Sequence, residues 1–236
     1  MKKRCYLSAV PIRKEASHRS EMVNQLLFGD LVDVLTTEGD WDMVRSEYDS
    51  YEGWVSSQQL TPVMQSDNKL FDRIANTETW IHFDNRKVLV PSGASYNHLW
   101  AETDNGDEKK MSDVVSVAKE FLGAPYLWGG RTKMGIDCSG LSQVVYKICG
   151  KKLPRDAWQQ AETGVEVPLK ESLEGDLAFF ANPSGRIVHV GILDGRGGII
   201  HASGMVRHDT IDEHGIFNAE RQEYSHTLKC VRRMEL

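Results

Sequence analysis

No stretch of this chain approaches the roughly 18 consecutive apolar residues that a membrane helix requires, so no membrane insertion is expected. The start, MKKRCYLSAVPIRKEAS, is basic but has no apolar segment before its first proline. An export signal is therefore not read here, and Cys5 has no hydrophobic stretch ahead of it to suggest a lipid anchor. The cytoplasm is the expected compartment, with the cell envelope as the alternative if a signal has been removed. Lys and Arg form no long run, and a net charge of -6 with pI near 5.8 disfavours a nucleic-acid partner. Cysteine is sparse: four residues, at 5, 138, 149 and 230, are too scattered for a disulfide framework in a chain of 236. There is no CxxC and no HExxH, so no metal site is expected.

What the chain does contain falls into three stretches. From Cys5 to about Pro62, short apolar runs alternate with polar turns, as in LVDVL, EGDWDMVRSEY and YEGWVSSQQL. Period-two alternation between Gly, Asp and Ser punctuation predicts a small β-barrel. Residues 63–108, with KLFDRIANTETWIHF and RKVLVPSGASYN, suit two more strand pairs and a second, degenerate barrel. ETDNGDEKKM, residues 102–111, is polar and charge-rich and reads as a linker. The remainder, 109–236, begins with helices. SDVVSVAKEFLG has Ser112 as its N-cap and Gly123 as its stop, and GIDCSGLSQVVYKICG carries Leu141, Val144, Val145 and Ile148 on one side before Gly150. Strands follow in DLAFFAN, IVHVGILD, GGIIHASG and HTLKCVRRM, with DGRG as a turn. Helices first and an antiparallel sheet after make an α+β domain.

Chemistry concentrates in the second helix and one hairpin. Cys138 and Cys149 stand about 16 Å apart along one helix, too far for a disulfide. Cys138 lies at the helix start, where unpaired N–H groups and the macrodipole favour a thiolate and lower its pKa. A small buried packing residue is the bland alternative. In VHVGILDGRGGIIHAS, His189 and His201 fall on consecutive strands and can become neighbours across the pair. Each alone is compatible with an ordinary half-buried side chain. Taken with Cys138 they suit a nucleophile, its base and an orienting third group.

APYLWGG, DCSG, PRDAWQQ, GDLAFF, HVGIL and IIHAS, in that order, resemble the NlpC-type family of papain-like cysteine peptidases over most of residues 112–236. The stretch from PIRKEASHRSEM through EGDWDMVR to YEGWV resembles the bacterial SH3-like module. Together they imply an α+β, papain-like NlpC-type catalytic domain (109–236) preceded by two small SH3-like β-barrels (1–62 and 63–108). The combination looks like the γ-D-glutamyl-L-diamino-acid endopeptidases of dipeptidyl-peptidase VI type. The resemblance implies Cys138 as nucleophile, His189 as general base, and His201 as the polar partner whose hydrogen bond fixes the His189 tautomer. It adds the Tyr126 hydroxyl, with the Cys138 N–H, as oxyanion donors. Trp128 would wall the pocket, or simply pack.

For the substrate, the resemblance implies that Asp156 holds a free ammonium group, with Ser139 and Asp137 nearby; Asp137 could instead serve as a helix cap. Ala157 stands where many relatives carry serine. Glu15 and Tyr51 match the positions from which the first SH3-like module contacts the substrate amine. The expected substrates are murein peptides that begin L-Ala-γ-D-Glu followed by diaminopimelate or lysine, cleaved without a cofactor by a monomer engaged in peptide recycling. A wall-remodelling hydrolase tethered through its SH3-like modules, or an inactive wall-binding protein, are the alternatives.

Overall fold

The computed structural model describes residues 1–63, 71–101 and 113–234; the expected linker at 102–111 and the expected cap Ser112 lie outside the described residues. The chain divides into two compact units, Met1–Lys110 with Trp128–Lys133, and Met111–Leu127 with Met134–Leu236. No described helix is long and apolar enough to cross a membrane.

In the first unit, β1 (Lys2–Arg4), β2 (Ala9–Arg13), β3 (Met22–Leu27), β4 (Leu31–Glu38), β5 (Trp41–Ser46), β6 (Glu52–Ser56) and β7 (Thr61–Pro62) form one sheet in the order β3-β2-β6-β5-β4-β1-β7. The alternation read in the sequence is what buries Val10, Ile12, Leu26, Val32, Val44 and Val55 together on its inner face. In the stretch expected to form a second barrel, the described residues give two two-stranded ladders. These are β8 (Arg73–Ile74) with β11 (Ser95–Tyr96), and β9 (Thr79–Phe83) with β10 (Arg86–Val90). They cover a cluster containing Phe28, Ile81 and Val90, with Tyr6, Phe71, Phe83 and Trp100 packed against it. Segment 128–133, with β12 (Arg131–Thr132), is anchored in this unit by Arg131, which is fully buried and donates from one guanidinium nitrogen to the Gln25 carbonyl at 2.8 Å and to Asp30 Oδ2 at 3.2 Å.

The second unit opens with α1 (Val114–Lys119). Its cap is Asp113, whose carboxylate accepts from the Ser116 N–H at 2.7 Å, and the helix ends four residues before Gly123. After β13 (Gly135–Ile136) comes α2 (Cys138–Ile148), which starts and stops for local reasons. The Asp137 carboxylate accepts from the Gly140 N–H at 2.6 Å. At the other end Gly150 takes φ +81°, and Lys151 and Gly150 donate to the carbonyls of Tyr146 and Lys147, the paired bonds that close a helix on a left-handed glycine. The apolar residues read on one side are only part of what this helix buries: every residue of α2 is buried. Short α3 (Ala157–Gln160) follows.

The strands of this unit are β14 (Val165–Val167), β15 (Leu177–Ala181), β16 (Ile187–Leu193), β17 (Gly198–Ser203), β18 (Met205–Asp212), β19 (Gly215–Asn218) and β20 (Glu223–Arg233). They are ordered β14-β20-β15-β16-β17-β18-β19, and β19 pairs again with β20, which closes six of them into a ring. All the ladders are antiparallel, as an α+β domain requires. β14, β18 and β19 are additions to the strands read from the sequence.

Candidate active site

Cys138 is the first residue of α2 and is 7% exposed. Its sulfur accepts from the backbone N–H groups of Ser139 and of Val190, the residue after His189 on β16. Below the helix start, the Asp137 cap is locked by Arg155, which is buried. One guanidinium nitrogen donates to Asp137 Oδ1 at 3.0 Å and to Ser139 Oγ at 2.9 Å, the other to Asp137 Oδ2 at 2.6 Å. Asp137 therefore caps the helix that Cys138 opens and is itself held in a forked ion pair, with Ser139 in the same network. Arg155 escaped the sequence reading, which took only the acidic member of the Arg-Asp pair.

Gly191 on β16 is opposite His201 on β17, so His189 and His201 meet diagonally across the pair. His189 Nε2 lies 2.8 Å from His201 Nδ1, and His201 Nε2 lies 3.1 Å from Asp209 Oδ2. Asp209, on β18, is also gripped by Arg207, whose Nε and a terminal nitrogen donate to its two oxygens at 2.7 and 3.0 Å. Burial works against the Asp209 charge, but the hydrogen bonds from Arg207 and His201 outweigh it and hold the carboxyl below its ordinary range.

This chain fixes the protons. A carboxylate only accepts, so His201 carries its hydrogen on Nε2. Burial holds His201 below its ordinary pKa and so neutral at pH 7; its Nδ1 is then an acceptor. His189 must donate from Nε2, which leaves Nδ1 with the lone pair of a base. The tautomer of His189 is thus set through His201, as expected, but the donor is His189 and the origin of the order is Asp209, a residue the sequence reading passed over.

The electrostatics correct one expectation. Burial, reinforced by the Asp137 carboxylate, pushes the Cys138 thiol up to about 12, against the pull of the Val190 and Ser139 N–H groups and Arg155. Burial likewise holds His189 well below its ordinary value, with His226 and His201 adding to the effect. The helix end does not make a resting thiolate; desolvation of the charge outweighs it. Both shifts favour the neutral forms, thiol and imidazole, at pH 7.

Tyr126 is half-buried, and burial together with the nearby Cys138 and Asp137 raises its phenol, so it stays protonated and able to donate at neutral pH. Asp156 opens α3 in a capping-box exchange with Gln159, its N–H donating to Gln159 Oε1 at 3.1 Å, and Ala157 is buried behind it. Three of the expected residues belong to the first unit: Glu15, exposed, with its N–H on Ser20 Oγ; Tyr51, half-buried, with its N–H on Asp49 Oδ1; and Trp128, 58% exposed.

A third imidazole, His226 on β20, joins His189 and His201, the ring nitrogens lying within 4.8 Å of one another. The rings of His226 and His189 are stacked, with centroids 4.1 Å apart and planes 22° apart. Imidazole lone pairs lie in the ring plane, so near-parallel stacked rings aim them past any common ion, unlike a tetrahedral ligand set.

Two family descriptions match the chain: the NlpC/P60 family over residues 123–224, and the bacterial dipeptidyl-peptidase SH3 domain over residues 12–60. A γ-D-glutamyl-L-lysine dipeptidyl-peptidase of Bacillus subtilis (strain 168) is 33% identical over 210 residues, covering 75% of this chain and 71% of that protein. A protein of the same name from Bacillus cereus is 27% identical, over 79% of this chain and 68% of its own length. Among solved structures, an NlpC/P60 family protein from Bacillus cereus superposes with a TM-score of 0.78 at 20% identity, over 99% of both chains. That likeness is one of fold: an NlpC/P60 papain-like domain with an SH3-like domain ahead of it.

Proposed function

The chain belongs to the NlpC/P60 family and is a cysteine peptidase, and on that premise we propose that it hydrolyses the bond between γ-D-glutamate and the diamino acid in murein peptides with a free amino-terminal L-alanine. Its setting in this reading is the recycling of released fragments by a cytoplasmic monomer. The observation that carries the catalytic part is the hydrogen-bonded order Asp209–His201–His189, ending on a strand whose next residue, Val190, turns its backbone N–H to the helix-start Cys138. The substrate part is supported by relatives named for γ-D-glutamyl-L-lysine dipeptidyl-peptidase activity.

The chemistry follows from the neutral pair. As Cys138 Sγ closes on the γ-carbonyl carbon, its proton passes to His189 Nδ1, so that charge develops only as the bond forms. The carbonyl oxygen becomes an oxyanion, stabilised by the Cys138 N–H, free of any intrahelical acceptor at this position, and by the protonated Tyr126. Collapse breaks the C–N bond while His189 returns the proton to the leaving amine of the diamino acid. The L-Ala-γ-D-Glu group remains on sulfur as a thioester. A water molecule, deprotonated by His189, releases the dipeptide and restores the thiol. Asp156 is assigned to the ammonium group of the substrate, because a charge taken out of water needs a partner of opposite sign.

Mass spectrometry of products from L-Ala-γ-D-Glu-diaminopimelate and L-Ala-γ-D-Glu-L-Lys, each beside its N-acetylated form, tests the reading. Release of the intact dipeptide L-Ala-γ-D-Glu from the free-amine peptides alone is expected. Cleavage elsewhere overturns the bond assignment, and equal cleavage of the acetylated forms overturns the amine-binding role of Asp156.

A further inference from the structure

His226 has no part in the chemistry above and lies two residues beyond the segment that matches the family description, which ends at 224. On the peptidase reading of Cys138 and His189, we propose that His226 is a positioning residue whose ring fixes the plane of the catalytic imidazole while His201 fixes its edge.

A hydrogen bond at Nε2 pins one atom of the His189 ring and leaves the ring free to swing about it. The swing would turn Nδ1, the atom that bears the lone pair of the base, out of its set direction. His201 meets His189 nearly perpendicular, at 87°, so it restrains the ring along one direction. His226 lies flat against the face, at 4.1 Å and 22°, and closes the other. His226 is itself held on two sides. Ser225 Oγ stands 2.9 Å from its Nδ1, and the Phe180 ring meets it edge-on with centroids 5.9 Å apart.

The strand pairings explain how a residue so late in the chain arrives here. Phe180 on β15 is opposite His189 on β16, and β20 is the other neighbour of β15, with a register shift between Phe179 and Phe180. The groups facing His226 are His189, Phe180, His201 and Ser225, with the Asp209 carboxylate acting from farther off. Burial and the neighbouring His201 hold His226 down to about 4, so both stacked rings are neutral at pH 7 and meet without repulsion.

The test measures kcat and KM on L-Ala-γ-D-Glu-L-Lys with the full chain. His226→Ala is expected to lose about tenfold or more in kcat with KM changed by less than about twofold, because a base displaced by a fraction of an ångström slows the chemical step and leaves binding alone. His226→Phe keeps a flat ring on the face and is expected to recover most of that loss, whereas His226→Gln, similar in reach but without a ring, is not. The last two decide the matter if the alanine variant fails to fold. Cys138→Ala, run alongside, is expected to be inactive; if it cleaves, the peptidase reading itself falls. If it is inactive but His226→Ala keeps kcat within about twofold, or Phe does no better than Gln, the positioning role alone falls. Inhibition by micromolar Zn²⁺ that His226→Phe abolishes would make His226 a metal ligand and also overturn the proposal.

Discussion

A Cβ built on Gly191 would stand 2.9 Å from the Cβ of His201, its partner across the β16–β17 pair, and 2.6 Å from Ile199 Cδ1. No real Cβ tolerates such contacts, and the atoms that would have to yield belong to the strand that presents His201. Gly191→Ala is expected to push His201 off the His189 edge, lowering kcat about tenfold or more and stability by about 1–3 kcal/mol. Steady-state kinetics and urea unfolding check it; an alanine variant with kcat within about twofold of the parent would remove His201 from the account.

Asp209→Ala removes the acceptor that orders the tautomers. His201 can then place its hydrogen on Nδ1, and His189 loses the partner that keeps its own Nδ1 bare. A fall in kcat of about 10²-fold or more is expected with KM nearly unchanged. The orphaned His201 N–H should also cost about 1–3 kcal/mol of stability. Kinetics beside thermal unfolding separate the two effects, and a variant that is less stable but equally fast would make Asp209 a structural residue only.

Acid should destabilise the fold before it protonates the carboxylates. His189 is held well below its ordinary 6.5, and His226 down to about 4, in both cases first by burial. Between 6.5 and those values the unfolded chain binds protons that the folded imidazoles refuse, so stability falls as pH falls from about 6.5. At the other extreme, burial lifts the thiols of Cys138 and Cys5 from 9.0 to about 12, so their share of stability is present below pH 9 and is lost as pH rises above it. Melting temperatures from pH 4.5 to 10.5 should trace a dome; a curve flat below 6.5 would contradict the buried, neutral histidines.

A resting neutral thiol also predicts how Cys138 reacts. Alkylation by iodoacetamide, followed by peptide mass mapping, should accelerate steadily through pH 9 with no plateau between 5 and 8. A plateau there, with an inflection below 7, would mean a standing thiolate–imidazolium pair in place of proton transfer during attack.

Much of this site is written locally in the chain. DCSG with Gly150 twelve residues beyond the helix start sufficed for the cap, the start and the stop of α2, because helix ends are decided by nearby side chains. DGRG between two apolar runs sufficed for the hairpin that brings His189 to His201. What stayed hidden depends on distant partners. Asp209 matters only because β18 pairs with β17, and MVRHDTID carries too many polar residues to announce a strand. Arg155 looks like a surface charge until the fold buries it against Asp137. His226 opened a stretch read as a strand, yet nothing in its neighbours reveals that the closing ring lays it on His189. The thiol shows the limit of local reasoning most clearly: the helix end was legible and the burial that outweighs it was not.

In the proposed reaction Cys138 carries the L-Ala-γ-D-Glu group through a thioester that His189 helps to form. Rapid acid quench of the full chain with L-Ala-γ-D-Glu-L-Lys, followed by intact and peptide mass, tests it directly. A transient gain equal to the dipeptide less one water is expected, located on Cys138 and absent from Cys138→Ala. Steady turnover with no adduct on any cysteine, or turnover that survives in Cys138→Ala, would contradict it.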